Sequence, residues 1–375
     1  MRVLFAIAHL DKGGGQAVQA AQLFERLAPR VDGTLLCLRA ASETGVPVDA
    51  GRVEVVGRLR FPGGLRELEH AIRARAGEYD LLQAFDQYYA LPAAKLARAR
   101  PIVVRLGAHP TQDLASRYGM AGRAFLGLAN PWLFSGTQVV VNAHHLLDTL
   151  PGRCPVLIPN GVEVGRFPAV PRRDAARLEL DLPRDVPLAG FTGKIIPRKN
   201  VEELYGLLRE VPDLHLLLVG GDREPYYGDQ YHRGLRRAFE DVLARVHHVG
   251  EVRPDRVPRY LEAMDLFVFP SRLEGMPNSV LEAMASALPI VARETPAHRE
   301  ILAPDAGRLY GSPAELAEAV RALRADPASA AEMGANARRV VQARFSFEAA
   351  VEAYLRLYEE VLEGNRPPVR RAPPR

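Results

Sequence analysis

The stretch that decides the fold is Pro270-Ser-Arg-Leu-Glu-Gly-Met-Pro-Asn-Ser-Val-Leu-Glu-Ala-Met-Ala-Ser-Ala-Leu288. The run before it, Asp265-Leu-Phe-Val-Phe269, is apolar and short, as in a parallel strand buried on both faces. Glu274-Gly-Met-Pro277 is turn chemistry. Pro277 suits a helix start, and Asn278 or Ser279 is expected to cap it. The helix then reads to about Ala287, where Pro289 stops it. A helix that begins at the carboxyl end of a parallel strand offers unpaired N–H groups and partial positive charge, an anion seat.

Two carboxylates, Glu274 and Glu282, occupy this stretch. Glu282 lies one turn into the helix on the face of Ser279 and Ser286, while Leu281, Met284, Ala285 and Leu288 form the apolar face. Side chains lean toward a helix's N-terminus, so Glu282 is expected to point at whatever occupies it. A carboxylate repels phosphate, so both acids suit sugar hydroxyls. Spacing alone equally fits a solvated helix residue and a loop charge.

The rest of the chain alternates strands and helices. In the second half, residues 188–192, 214–219, 246–249 and 289–292 read as strands and 201–210 and 258–264 as helices. In the first half, strands are expected at 3–8, 34–38, 53–56, 80–85, 101–106, 138–142 and 156–158, with helices at 17–27, 65–76 and 90–99. Strands separated by helices of about 10–15 residues predict a parallel, doubly wound sheet in each half. Asn160-Gly161 is a strong turn signal, followed by Pro- and Arg-rich sequence to about 180 that reads as an extended linker. The expected domains are therefore 1–165 and 166–345. A helix over 346–363 either packs on its own domain or crosses back to the first, and 364–375 lacks the residues to build a core.

With 375 residues, the chain is too long for one ordinary domain and right for two. Hydrophobic residues at 47% and charged residues at 25% give each half a normal core. The net charge of +4 is too mild to call for nucleic acid. Cys37 and Cys154 sit in or beside apolar runs and read as buried thiols in a reducing compartment. The apolar N-terminal run is too short for a signal peptide, and no run approaches transmembrane length. A cytoplasmic protein is expected.

Three features of the second half converge on one ligand class. Lys194, Arg198 and Lys199 follow its first strand and suit a diphosphate, although a solvated basic loop has the same composition. Glu251 and Val252 follow a later strand, where backbone groups can meet a base. The helix start at Asn278-Ser279 supplies the anion seat. In the first half, Gly13-Gly-Gly15 allows close backbone approach to a ligand but misses the dinucleotide fingerprint. His109 and the cluster Asp86-Gln-Tyr-Tyr89 follow neighbouring strands, where such sheets place ligands.

Taken together, these residues resemble the family 4 retaining glycosyltransferases over nearly the whole chain. Its E-x7-E pattern is filled by Glu274 and Glu282, its interdomain turn by Ile158-Pro-Asn-Gly-Val162, its phosphate loop by Gly193-Lys-Ile-Ile-Pro-Arg-Lys199, and its N-terminal glycine loop by Gly13-Gly-Gly15. The resemblance implies an α/β, B-type fold of two Rossmann-like domains facing a cleft, the first for the acceptor and the second for a nucleotide sugar. It implies that Lys194 and Lys199 hold the donor diphosphate, with Arg198, Gly14 and Gly15 beside the donor. Glu282 would take the ribose and Glu274 the transferred sugar. Gly275, Met276, Pro277, Asn278, Ser279 and Val280 would line the sugar and phosphate. Glu274, Lys199, Lys194 and His109 would carry the catalysis. Lys194 stands where the family usually has Arg, which keeps the charge and loses the fork. His109 is offset from the family's histidine by about two residues, and Phe85-Asp86 replaces another.

The function this implies is transfer of a sugar from a UDP-, GDP- or ADP-sugar to a glycan, lipid or small-molecule acceptor, with retention. No cofactor and no metal are expected: the chain lacks Asp-x-Asp, and lysines take its place. Residues 117–134, with two arginines and the only Trp, fit a core helix or a peripheral membrane contact at the inner face. A nucleotide-sugar epimerase and a non-catalytic nucleotide-sugar-binding protein are the alternatives on the same fold.

Overall fold

The computed structural model describes residues 1–10, 15–40, 48–58, 62–107, 129–149, 154–221, 230–302 and 304–364. His109, Gly14, most of 117–134 and nearly all of the C-terminal tail lie outside them. The chain forms two units, Met1–Gly161 with Phe347–Arg375, and Val162–Ser346.

Among the described residues the first unit is built on seven parallel strands: β1 (Val3–Leu10), β2 (Gly33–Ala40), β3 (Val53–Val55), β4 (Leu81–Ala84), β5 (Ile102–Leu106), β6 (Thr137–Val141) and β7 (Val156–Leu157). Their order is β3-β2-β1-β4-β5-β6-β7. β1 and β4 are largely apolar and buried on both faces. Phe5 stacks on Phe85 with ring centroids 5.8 Å apart and meets Phe24 of the helix Gly15–Leu27 edge-on at 5.1 Å. The final helix, Phe347–Leu362, belongs to this unit. Its buried face carries Val351, Tyr354, Leu357 and Tyr358, at helical spacing, into the same core. The Tyr358 hydroxyl donates to Gln83 Oε1 at 3.0 Å, so two buried polar groups satisfy each other.

The second unit has six parallel strands: β8 (Leu188–Thr192), β9 (His215–Val219), β10 (Val246–Gly250), β11 (Leu266–Phe269), β12 (Ile290–Arg293) and β13 (Arg308–Tyr310), in the order β10-β9-β8-β11-β12-β13. The strand order reverses between β8 and β11, the topological switch point at which open sheets of this kind bind ligands.

Several expectations need correction. The division falls after Gly161, not at 165, because Val162 already bonds to Phe345 at 2.9 Å and bridges Ser346 in the second unit. The stretch read as an extended linker contains a short helix, Arg173–Glu179. Its Arg177 is buried and donates to the carbonyls of Ala263, Arg184 and Val186 and to Asp265, so tertiary contacts hold a helix too short to show in the pattern. β13 was also unforeseen. Cys37 is buried, but Cys154 is exposed, just before the short edge strand β7.

Candidate donor site

The central helix of the second unit runs Asn278–Ala285. Pro277, in extended backbone, is its N-cap, and no side chain caps it; Asn278 and Ser279 lie inside the first turn instead. Pro277 has no N–H, so it suits the position where the chain turns in from the loop. Ala287, with φ of +54°, ends the helix two residues beyond Ala285.

The loops after β8 and β11 meet through an ion pair. Lys199 Nζ donates to Glu274 Oε1 at 2.6 Å, and both side chains are about nine-tenths buried. The same oxygen accepts from Ser271 Oγ at 2.5 Å and lies 3.5 Å from Arg198 Nη1. The Lys199 ammonium also sits over the Phe269 ring, 4.8 Å from its centroid. Burial by itself pushes the Glu274 carboxyl up; the charges of Lys199 and Arg198, with the hydrogen bonds from Lys199 and Ser271, outweigh it and hold the group at about 2. Burial pulls the Lys199 ammonium down, against the pull of Glu274, and the nearby charges of Arg198 and Lys194 act in the same direction as burial. The three cations of the loop are therefore close enough to sense one another. Asn200, fully buried with φ of +56°, turns the chain out of this loop and donates to the Pro270 carbonyl. The Arg272 N–H donates to the Arg198 carbonyl at 3.0 Å. Both loops are thus fixed to each other by backbone as well as charge.

Glu282 has no such cation against it. Burial pushes its carboxyl up to about 7, opposed only by the more distant charge of Arg166. Gly275, Met276, Pro277 and Val280 are buried, which leaves the half-buried Asn278 and Ser279 at the surface of the helix start. Glu251 is exposed and Val252 half-buried after β10, at the same edge of the sheet. The sequence reading missed Ser271, Asn200 and Arg166. Ser271 and Asn200 carry no chemistry of their own to mark them, and Arg166 lies in the linker, far from Glu282 in sequence.

In the first unit, Gly15 begins the helix Gly15–Leu27. The role of Asp86 is structural. Its Oδ1 accepts from the backbone N–H groups of Tyr88, Tyr89 and Ala90, and Oδ2 from Ala8. A carboxylate with four such donors fixes the turn after β4. Gly14 and His109 lie outside the described residues. Among those described, no group of three or more His, Cys, Asp or Glu is placed to hold a metal ion, and no helix is long and apolar enough to cross a membrane.

The family described as "Glycosyl transferases group 1" matches residues 186–326. The GDP-mannose-dependent monoacylated alpha-(1-6)-phosphatidylinositol monomannoside mannosyltransferase of Corynebacterium glutamicum is 32% identical over 206 residues, 51% of this chain and 52% of that one. D-inositol 3-phosphate glycosyltransferase of Kineococcus radiotolerans is 32% identical over 245 residues, 59% of this chain and 54% of that one. The chain thus spans about half the length of these curated relatives. Among solved structures, sucrose-phosphate synthase from Thermosynechococcus elongatus superposes with a TM-score of 0.83 at 23% identity, over 97% of this chain and 100% of that one. Anabaena HepE, solved with UDP and glucose, gives 0.80 at 22% identity, over 96% and 99%. At these identities the structures speak for the fold. Residues 186–326 of the second unit thus match the group 1 glycosyl transferases, and the chain as a whole has the two-sheet GT-B fold of the solved structures.

Proposed function

We propose that the protein is a retaining, metal-independent glycosyltransferase that moves a sugar from a nucleoside-diphosphate donor to a glycan, lipid or small-molecule acceptor. The observation that carries this reading is the buried Lys199–Glu274 pair between the loops after β8 and β11. It combines a fixed anion for sugar hydroxyls with a cluster of cations for a departing diphosphate. Lys194, Arg198 and Lys199 stabilise the negative charge that grows on the leaving group, and their positions are set before the donor arrives. Glu274 stays ionised and orients the sugar through its hydroxyls. Glu282 accepts from the ribose, and ligand hydroxyl donors favour its charged form. A curated relative named for GDP-mannose supports a nucleotide-sugar donor. Trp132, 48% exposed in the first unit, suits a face that meets a lipid acceptor.

The test is Glu274→Gln, which preserves shape and removes charge. Turnover of the donor is expected to fall about 100-fold or more, in the range seen when a preorganised electrostatic contact is lost. Nucleoside-diphosphate affinity is expected to remain within a few-fold. Turnover at the parent rate would remove Glu274 from the mechanism. Conversion of the nucleotide sugar to its epimer without acceptor would replace the assignment with an epimerase.

A further inference from the structure

We infer that His248 is a positioning residue for the cationic loop of the donor site, acting through the carbonyl of Gly220. This deepens the proposed function and rests on it.

His248 lies in the edge strand β10, where the pairing with β9 slips: Leu218 pairs with His248, but Val219 pairs with Gly250. Such a bulge leaves ladder groups without their regular partners and is a common device beside binding sites. Here the side chain supplies what the ladder omits. His248 Nε2 donates to the Gly220 carbonyl at 3.0 Å, since a carbonyl can only accept. The Gly220 N–H donates to the Gly250 carbonyl at 2.8 Å, so Gly220 is held on both its polar groups by β10. The far side of the imidazole is also fixed. Its ring meets His232 edge-on at 4.6 Å, and His232 Nε2 lies 3.0 Å from the Tyr205 hydroxyl.

Gly220 in turn bears on the loop that carries Lys194. A Cβ at Gly220 would fall 1.9 Å from the Gly193 carbonyl oxygen, so the two backbones are in direct contact. The Gly193 N–H donates to the Val219 carbonyl and the Ile195 N–H to the Gly221 carbonyl, each at 2.9 Å. Lys194 is therefore bracketed by two residues whose backbones rest on 219–221, and 220 is set by His248. A shift of the Gly220 carbonyl moves the backbone from which Lys194 reaches the diphosphate.

The test compares His248→Ala with His248→Gln, whose amide nitrogen can occupy the position of Nε2. Titration of the full-length chain with UDP, GDP and ADP measures affinity, and steady-state kinetics with the matching nucleotide sugar measures KM and kcat. His248→Ala is expected to weaken the nucleoside diphosphate and raise donor KM by about 5- to 10-fold, the scale of one hydrogen bond, and to lower kcat as well, because Lys194 acts on the charge that grows on the leaving group. His248→Gln is expected to recover most of the loss. Parent-like affinity in His248→Ala with a lowered melting temperature would make the residue merely structural and overturn the inference. Equal defects in both variants would also overturn it. If the parent itself binds none of the three diphosphates, the donor-site reading fails first, and this inference falls with it.

Discussion

Glu274 and Glu282 share one strand–turn–helix unit but have opposite surroundings. Glu274 faces two cations and a hydroxyl, so burial fails to neutralise it. Glu282 has only the charge of Arg166 to oppose burial, so burial dominates. The difference has a consequence for stability. Below about pH 4.5, the ordinary value, Glu282 is protonated in both folded and unfolded chains and costs nothing. Between that pH and about 7 the unfolded chain ionises first, and stability falls as pH rises; above about 7 the full penalty remains. Glu282→Gln should therefore melt higher than the parent at pH 8, by about 3 °C or more, and match it near pH 4.5. The same variant should bind nucleoside diphosphates more weakly, because an acceptor for the ribose is gone. An equal shift in melting temperature at both pH values would contradict the buried-acid account. Glu274 has the reverse sign: its folded value lies below the ordinary one, so its contribution is present above about pH 4.5 and is lost as pH falls toward about 2.

At the scale of elements, the central helix is held in place from behind. The helix Pro327–Arg344 crosses it so closely that a Cβ on Gly334 would lie 2.1 Å from the Ala287 carbonyl oxygen. Arg338 of the same helix donates to the Ala285 carbonyl and, at 2.9 Å, to that of Phe167, which satisfies a carbonyl at the central helix's end. Gly334→Ala is expected to lose about 1–3 kcal/mol through overpacking, read as a lower denaturant midpoint; an unchanged midpoint would show that the helices separate freely.

Most of these elements were legible in the sequence because parallel strands covered on both faces read as apolar runs between Gly- and Pro-marked turns. Among the elements that escaped, Arg173–Glu179 is fixed by partners distant in sequence, β13 is only three residues long, and the helix Gln230–Ala238 is strongly polar, with few apolar residues to mark its period. The N-cap was misplaced for a different reason: Asn278 and Ser279 have the better capping side chains, but Pro277 takes the position through its backbone. In the candidate site, Glu274, Lys199 and Glu282 are expected from their motif. That Glu274 and Lys199 bond directly is a product of strand order, since β8 and β11 are neighbours in the sheet though far apart in the chain. The four backbone partners of Asp86 come together only in the fold and leave no mark in the sequence.

At the scale of the whole molecule, the chain crosses between units at Gly161–Val162 and returns at Ser346–Phe347. Its last helix completes the core of the first unit, through Tyr354 and Tyr358, and so makes that unit discontinuous in sequence. The second unit carries the family match and the proposed donor site on one continuous segment. The central claim is that this segment seats a nucleoside-diphosphate sugar on Lys194, Arg198, Lys199, Glu274 and Glu282. It is tested most directly by a melting-temperature panel of UDP-, GDP- and ADP-sugars on the full-length chain with EDTA present. At least one donor at about 100 times its Kd should stabilise the protein by about 2.7 kcal/mol, visible as a rise of several degrees that survives EDTA. No shift with any donor would contradict the nucleotide site, and a shift abolished by EDTA would contradict its independence of metal.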